Sequence, residues 1–494
     1  MLLLVKGFSF IGCSDAKPEK VTQNPTNVIL VMSDDQGWGD VAYNGNAIVK
    51  TPRLDQLAAA NIRLNRFYAA APVCSPTRAS CLTGKTPCRV GVPWADTGAI
   101  PLEETTLAEK LKQHGFATGH FGKWHAGTLS RTVRDGTRGG LPENEKFYSP
   151  PWENGFEHCF STETMVPLYN PTVWGAGQFR LPQPGPDYKM LMDRAVEKGE
   201  TSDLPGVYPW YCSYWTGEGQ KVTKGLEGDD SRIIMDQALN FIKQQAADKK
   251  PFFAVIWFHA VHSPIAAGNE HRAIYDSLNL SIEEEHWYGS ISAMDAQVGR
   301  LEDELKSLGI FDNTLLWFNS DNGPSYIHDF NSAGPYRGKK GTLYEGGIRV
   351  PAFVSLPKRF PQAKSISQPI STMDIYPTVL AALQLENNHA IDGENVLPIL
   401  DGTKEFREAP IFFISPLRGK DWRKNANNWQ FAMSGEAFKL LSVDGGASYQ
   451  LYDLKKDEAE TVDVTDAFPE VKQEMQLELE KWVADFDRSA LGKQ

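Results

Sequence analysis

Several short stretches of this chain carry residue types that can hold a hard cation, attack an ester or move a proton. Asp34 and Asp35 stand side by side directly after an apolar run at 27–32. Adjacent carboxylates are oxygen donors suited to Ca²⁺ or Mg²⁺; alone, the pair reads equally as an Asx-type turn with solvated acids. Asp321 and Asn322 repeat the pattern in Ser320-Asp321-Asn322-Gly323. Cys74-Ser75-Pro76-Thr77-Arg78-Ala79-Ser80-Cys81-Leu82-Thr83-Gly84 puts a sulfur four residues before an arginine, which by itself describes an ordinary buried thiol beside a turn. In Gly122-Lys123-Trp124-His125 the alternation puts Lys123 and His125 on one side of an extended segment. His262 precedes Ser263-Pro264, and Lys340 lies in Arg337-Gly338-Lys339-Lys340-Gly341-Thr342 ahead of Glu345-Gly346-Gly347. Lysines and imidazoles near carboxylates are the groups that bind an anion and transfer protons.

The elements that must position these residues alternate along the chain. Apolar runs at 27–32, 116–121, 252–258, 314–319 and 352–355 have the continuous character of strands buried on both faces. Helices are predicted over 52–61 (Leu54, Leu57 and Ala58 on one face), 106–114 (stopped by Gly115), 231–245, 282–308 and 377–385. The segment 282–308 places Ile291, Met294, Val298, Leu301, Leu305 and Leu308 in a core stripe. A strand at 62–68 leads into the cysteine segment. The alternation predicts an α/β fold with a large sheet flanked by helices, and the acid pairs fall where such sheets place ligands, after the carboxyl ends of strands. Beyond residue 404 the pattern changes to short strands at 410–414, 429–434, 438–443 and 449–453, with a closing helix from Pro469 whose apolar side carries Val471, Met475, Leu479, Trp482 and Phe486. This predicts a small antiparallel sheet with a covering helix. The expected organisation is a leader at 1–26, a catalytic domain at 27–403 containing an aromatic-rich insertion at 128–229, and a C-terminal subdomain at 404–494.

Taken together and in this order, Asp-Asp, C-x-P-x-R followed by Leu-Thr-Gly, Gly-Lys-Trp-His, the His before Ser-Pro, Asp-Asn-Gly and the Gly-Lys-Gly-Thr-like segment resemble the type I, formylglycine-dependent sulfatases of the alkaline-phosphatase-like superfamily. The resemblance covers roughly residues 27–400. It implies conversion of Cys74 by a formylglycine-generating enzyme to Cα-formylglycine, whose hydrate takes up sulfate through one hydroxyl and expels it with the other. It implies one Ca²⁺ held by Asp34, Asp35, Asp321 and Asn322 with an oxygen of modified Cys74. Arg78 and Lys123 would hold the diol, and Lys123, His262 and Lys340 would contact sulfate oxygens. His262 would be the acid toward the leaving alcohol and His125 the base on the second hydroxyl, with the two roles exchangeable or shared. Here Lys339 stands where the family has a small residue, so the choice between Lys339 and Lys340 stays open.

Composition narrows the partners. The formal net charge of -12, with no Lys/Arg run, excludes a general nucleic-acid binder, so an anionic substrate needs a local basic pocket. No apolar run is long enough to cross a membrane. Residues 1–13 read as a short export signal with a loose lipobox at Cys13, or as a mis-set start; the expectation is an exported protein, periplasmic, extracellular or lipid-anchored. Cys81, Cys88, Cys159 and Cys212 have no CxxC spacing, which argues against zinc. The aromatics Trp152, Tyr169, Trp174, Trp210, Tyr211, Tyr214 and Trp215 either form a rim that stacks on sugar rings or cover the sheet edge. A sulfated carbohydrate is the expected substrate; the alternatives are a small aryl sulfate, a phosphatase or phosphodiesterase of the same superfold, and a carbohydrate-binding relic.

Overall fold

The computed structural model describes residues 27–171, 212–325, 330–423, 425 and 427–486. The predicted leader, Cys13, Trp174, Trp210 and Tyr211 lie outside them. In chain order the first strands are β1 (Asn27–Ser33), β2 (Ile62–Leu64), β3 (Phe67–Tyr68), β4 (Ala117–Lys123), β5 (His158–Thr162), β6 (Phe252–Trp257), β7 (Thr314–Ser320), β8 (Arg349–Val350), β9 (Ala352–Ser355), β10 (Lys364–Ile366) and β11 (Ile370–Ser371). Eight of them form one sheet in the order β10-β2-β9-β7-β1-β6-β4-β5. From β7 to β5 every neighbouring pair is parallel, and β9 enters antiparallel to both β7 and β2.

Strands β1, β6 and β7 are buried along their whole length, which is why they read as unbroken apolar runs. Alternate residues feed the two faces: Val28, Leu30, Met32, Val255 and Trp257 pack on one side, and Ile29, Val31, Ala254, Ile256 and Phe318 on the other. Helix Ile282–Ser307 covers the second face with Ile291, Met294, Val298, Leu301 and Leu305, all fully buried, while Leu308 caps its end half-buried. Helix Leu107–Gln113 opens on a reciprocal capping box between Thr106 and Glu109.

The run predicted as one strand at 62–68 is two. β2 joins the central sheet, and after Asn65-Arg66 the chain enters a separate three-stranded sheet as β3, between β11 and β8. The stretch 128–229 also contributes more than loops, because β5 extends the central sheet beside β4. Near the C-terminus, β12 (Ile411–Pro416), β13 (Trp429–Ser434), β14 (Phe438–Ser442) and β15 (Gln450–Asp453) form an antiparallel sheet. Helix Pro469–Ala484 covers it through Met475, Leu479 and Val483, with Phe486 just beyond its end and Trp482 stacked on Phe412.

Register places the chemistry. Ser33 of β1 is level with Ser320 of β7, so Asp34-Asp35 and Asp321-Asn322 leave the sheet side by side. Trp257 of β6 is level with Met32 on one side and Gly122 on the other, which brings His259–His262 and Lys123 to the same edge. Gly122 has φ +102, and a β-carbon there would lie 1.9 Å from the Trp257 carbonyl oxygen, so only glycine lets β4 approach β6 this closely next to Lys123.

Candidate active site

Backbone pairing continues past the strand ends and sets the floor of the site. The Asp34 amide donates to the Ala260 carbonyl at 2.8 Å and the Val261 amide to the Asp34 carbonyl at 2.6 Å, while the Asp321 amide donates to Ser33 at 3.1 Å. Above this floor, helix Cys74–Thr83 begins at Cys74 itself, with extended Val73 as N-cap and no side-chain cap on its first turn. Its uncapped N–H groups and positive dipole end favour an anion there. Cys74 is buried, and the helix closes at Gly84 in the left-handed conformation.

Around Cys74 the buried charges interlock. Arg78 donates twice to Asp321 Oδ2, from Nε at 3.0 Å and Nη2 at 2.7 Å, and Nη1 donates to the Lys123 carbonyl at 3.1 Å. Its guanidinium also lies 5.1 Å from the centre of the Trp257 ring. Lys123 Nζ donates to Asp34 Oδ2 and Lys340 Nζ to Asp35 Oδ1, each at 2.5 Å. Asn322 Nδ2 donates to the same Asp35 oxygen at 2.7 Å, and the Asp35 amide to Asp321 Oδ1 at 3.1 Å. His262 Nδ1 lies 2.6 Å from the Ser263 carbonyl, turning Nε2 toward Asp35 Oδ2 at 3.7 Å. Lys340 is held from both sides: its amide donates to Pro324, beside Asp321, and that of Gly341 to Pro72, just before Cys74. Lys340 thereby reaches the carboxylates.

Burial alone would raise every carboxyl here. For Asp34 it is overcome by Lys123, His262, Arg78 and Lys340, which hold the group well below the usual range. Asp321 goes the other way: burial and the Asp34 charge push it up to about 8, against the Arg78 bonds that favour its ionised form. Burial lowers Lys123, but Asp34 more than offsets this and leaves it raised. Burial, partly opposed by Asp34 and Asp35, brings His262 down to about 4.

Two buried oxygens, Asp34 Oδ1 and Asn322 Oδ1, have no hydrogen-bond partner among the described residues. Ligand atoms of Asp34, Cys74 and Asp321 lie within 4.8 Å of one another, as do those of Asp34, Asp35 and His262. Unpartnered oxygens among acids are donors that fit a hard divalent cation.

The profile of the sulfatase family, named Sulfatase, matches residues 26–385, and that of the N-sulphoglucosamine sulphohydrolase C-terminal region matches residues 338–485. The chain belongs to the sulfatase family. It is a hydrolase of sulfuric esters, on the alkaline-phosphatase-like fold. This sulfatase is 31% identical over 496 residues to human arylsulfatase A, covering 92% of this chain and 88% of that protein. It is 30% identical over 468 residues to mouse steryl-sulfatase, covering 85% and 72% of the two chains. Among solved structures, Ps i-CgsB in complex with k-i-k-neocarrahexaose aligns with a TM-score of 0.75 at 26% identity, over 94% of each chain. The phosphonate monoester hydrolase of Agrobacterium radiobacter shares the fold at 20% identity and a TM-score of 0.64, over 93% of this chain and 96% of that one.

Other expectations resolve differently. Tyr214 and Trp215 are not rim residues: both are buried, Tyr214 stacking on Phe160 at 4.2 Å and donating its hydroxyl to Asp230 at 2.5 Å. Trp152 and Tyr169 are half-buried, Trp152 donating to the Tyr148 hydroxyl at 3.2 Å. Cys81, Cys88, Cys159 and Cys212 are free and buried; Cys81 packs in the core of the central sheet and Cys88 under the C-terminal sheet. His259 is a scaffold group held between Thr162 Oγ1 at 2.7 Å and Asp230 Oδ2 at 2.8 Å. Among the described residues no helix is long and apolar enough to cross a membrane.

Sequence reasoning missed the loops that hold His125. Its amide donates to the Glu163 carbonyl at 2.9 Å, and its Nε2 meets Asp96 Oδ1 at 3.1 Å. The Glu163 carboxylate in turn accepts from the Arg138 and Gly139 amides at 3.0 and 3.3 Å. Neither acid sits in a motif; an acid directly after a strand end, as Glu163 is after β5, was the only available signal. Burial, with the neighbouring Asp135, raises the Glu163 carboxyl from 4.5 to about 8. A raised carboxyl pKa gives stability that is present at low pH and lost as pH climbs from the unfolded value of 4.5 through 8. Glu163→Gln should therefore flatten the fall in denaturation midpoint across that window, measured by urea unfolding at several pH values; an unchanged pH slope would contradict the assignment.

Proposed function

We propose that this sulfatase removes sulfate from a sulfated carbohydrate, using Cα-formylglycine made from Cys74 and one Ca²⁺ at Asp34, Asp35, Asp321 and Asn322. The observation that carries the reading is the uncapped start of helix Cys74–Thr83, facing the buried Arg78 and Lys123, the half-buried Lys340, and the unpartnered oxygens of Asp34 and Asn322. Support for a carbohydrate comes from relatives: N-acetylgalactosamine-6-sulfatases at 30–31% identity and the structural relative captured with a neocarrahexaose. Human arylsulfatase A, at 31%, keeps a small aryl sulfate as the second reading.

A formylglycine at residue 74 would supply, as its hydrate, two hydroxyls on one carbon, one for transfer of the sulfate and one for its release. Asp34, Asp35, Asp321 and Asn322 would hold the Ca²⁺, which would supply positive charge to the sulfate ester. The chain does the rest. Lys123 and Lys340 take sulfate oxygens in a pocket with little water to compete, and Arg78 keeps the residue-74 side chain and Asp321 in register. His262 Nε2 passes a proton to the leaving alcohol oxygen. Because burial holds this imidazole neutral near pH 7, it gains that proton only as the negative ester enters. His125 removes a proton from the second hydroxyl. The export expected from the first residues, and maturation by a formylglycine-generating enzyme, complete the proposal.

Protein produced together with a formylglycine-generating enzyme should show, by mass spectrometry of the Cys74 peptide, loss of the thiol and gain of an aldehyde. It should release sulfate from a panel of sulfated oligosaccharides faster than phosphate from matched esters. A fully active enzyme with an intact Cys74 thiol would end the formylglycine reading.

Elemental analysis tests the cation separately. One Ca²⁺ per chain is expected in the matured protein and none in Asp321→Asn, with activity lost in step. Stoichiometric zinc at full activity would overturn the assignment.

The proton donor is tested by leaving-group dependence. His262→Ala should lose about 10²–10⁴-fold on sugar sulfates, whose alcohols leave poorly without a proton. Most of that rate should return on an aryl sulfate, which departs as a stabilised phenolate. An equal loss on both substrates would show that His262 only binds sulfate.

A further inference from the structure

His125 and Asp96 meet across two loops in a way the reaction as described so far does not use. Both are non-glycine residues in the left-handed region, with φ of 53° and 56°, a conformation that L side chains adopt sparingly and that persists only where the surroundings impose it. The surroundings are visible. The His125 amide is fixed on the Glu163 carbonyl at 2.9 Å, and Thr137 Oγ1 donates to Asp96 Oδ1 at 2.6 Å. His125 Nε2 lies 3.1 Å from that same Asp96 oxygen. The Asp96 side chain is 41% exposed, that of His125 only 5%. Asp96 thus keeps contact with water and stays ionised, its carboxyl held low by His125, Thr137 and Arg138 against the effect of partial burial.

An ionised carboxylate can only accept hydrogen bonds. The ring nitrogen facing Asp96 must therefore carry the proton, and a neutral imidazole then has its lone pair on the other nitrogen. That nitrogen, Nδ1, is buried and has no partner among the described residues.

We infer that Asp96 is a positioning residue: it fixes the His125 tautomer with the proton on Nε2 and so leaves Nδ1 as the atom that accepts the proton in the sulfatase reaction. The inference rests on the reading of His125 as the base. The balance is simple: one proton passes from the hydroxyl of residue 74 to Nδ1, the ring becomes imidazolium, and Asp96 stabilises the cation without taking the proton. The same oxygen's bond to Thr137 holds the carboxylate against the ring.

The test combines kinetics with ¹⁵N-histidine NMR, the His125 signals being assigned by their absence from His125→Ala. Wild-type protein should show a protonated Nε2 and an unprotonated Nδ1, whether or not Cys74 has been converted. Asp96→Asn can donate to Nε2 and reverse the tautomer, so it should lower kcat by about 10²–10⁴-fold with KM unchanged, and shift the proton to Nδ1 in the spectrum. Asp96→Glu should restore part of the rate. In a His125→Ala background Asp96→Asn should cost nothing more, since the two act as a unit. A wild-type ring protonated on Nδ1, or full kcat in Asp96→Asn, would overturn the inference. A loss confined to KM would overturn it too, by making Asp96 a substrate contact. Full kcat in His125→Ala would instead remove the base reading, while the wild-type spectrum still reports the Asp96 contact, so the two failures are told apart.

Discussion

Asp34, Asp35 and Asp321 are withdrawn from water together with Arg78 and Lys123, with Lys340 closing over them half-buried, and any one of the fully buried groups left alone would be a charge with neither solvent nor partner. Breaking one such buried pair typically costs about 3–5 kcal/mol. The site must therefore be assembled as a whole or not at all, and this explains much of the architecture. Carboxylates on β1 and β7 can meet cations from β4 and from the loop around Lys340 only if β7, β1, β6 and β4 lie side by side and parallel with their carboxyl ends level. The glycine at 122, the backbone exchange between Asp34 and Ala260–Val261, and the anchoring of Lys340–Gly341 on Pro324 and Pro72 are the local means of bringing those ends close enough.

The parts of this arrangement that chemistry requires along a continuous stretch of chain were legible in the sequence. Buried parallel strands must be apolar throughout, so β1, β6 and β7 announce themselves, and the polar residues just after them are conspicuous. What depends on the choice of neighbour was not legible. The run 62–68 has uniform strand character, yet β2 and β3 pair in different sheets, because nothing in seven residues specifies a distant partner. Aromatic content could not decide between a sugar-binding rim and a core: Tyr214 and Trp215 went inside because β5 supplied Phe160 and a sheet edge to cover. Asp96 and Glu163 were invisible for the same reason. Each gains its meaning from one hydrogen bond to His125, made across 29 residues in one case and 38 in the other.

Overall composition and local electrostatics point in opposite directions, and the difference is instructive. A chain with a net charge of -12 repels a sulfated substrate at long range. Salt screens that repulsion within about 8–10 Å under ordinary conditions, so it influences the approach and has little hold on the bound state. With Asp321 ionised, the form its Arg78 bonds favour, the three acids and three cations named above balance to zero. Adding a divalent cation at Asp34 Oδ1 and Asn322 Oδ1 would leave an excess of two positive charges in a region that excludes water. A sulfate ester carries one negative charge and cannot quite neutralise that excess; the transition state, in which negative charge builds on the departing oxygen, comes closer. Charge that is unsatisfied with the substrate bound and better satisfied as the bond breaks is the condition under which binding energy lowers a barrier instead of deepening a ground state. With a cation bound, the paired acids would do more than hold it. By offsetting most of the charge of the lysines and arginine in its absence, they let the folded protein keep a cluster of cations whose pull on an anion emerges only when the site is complete.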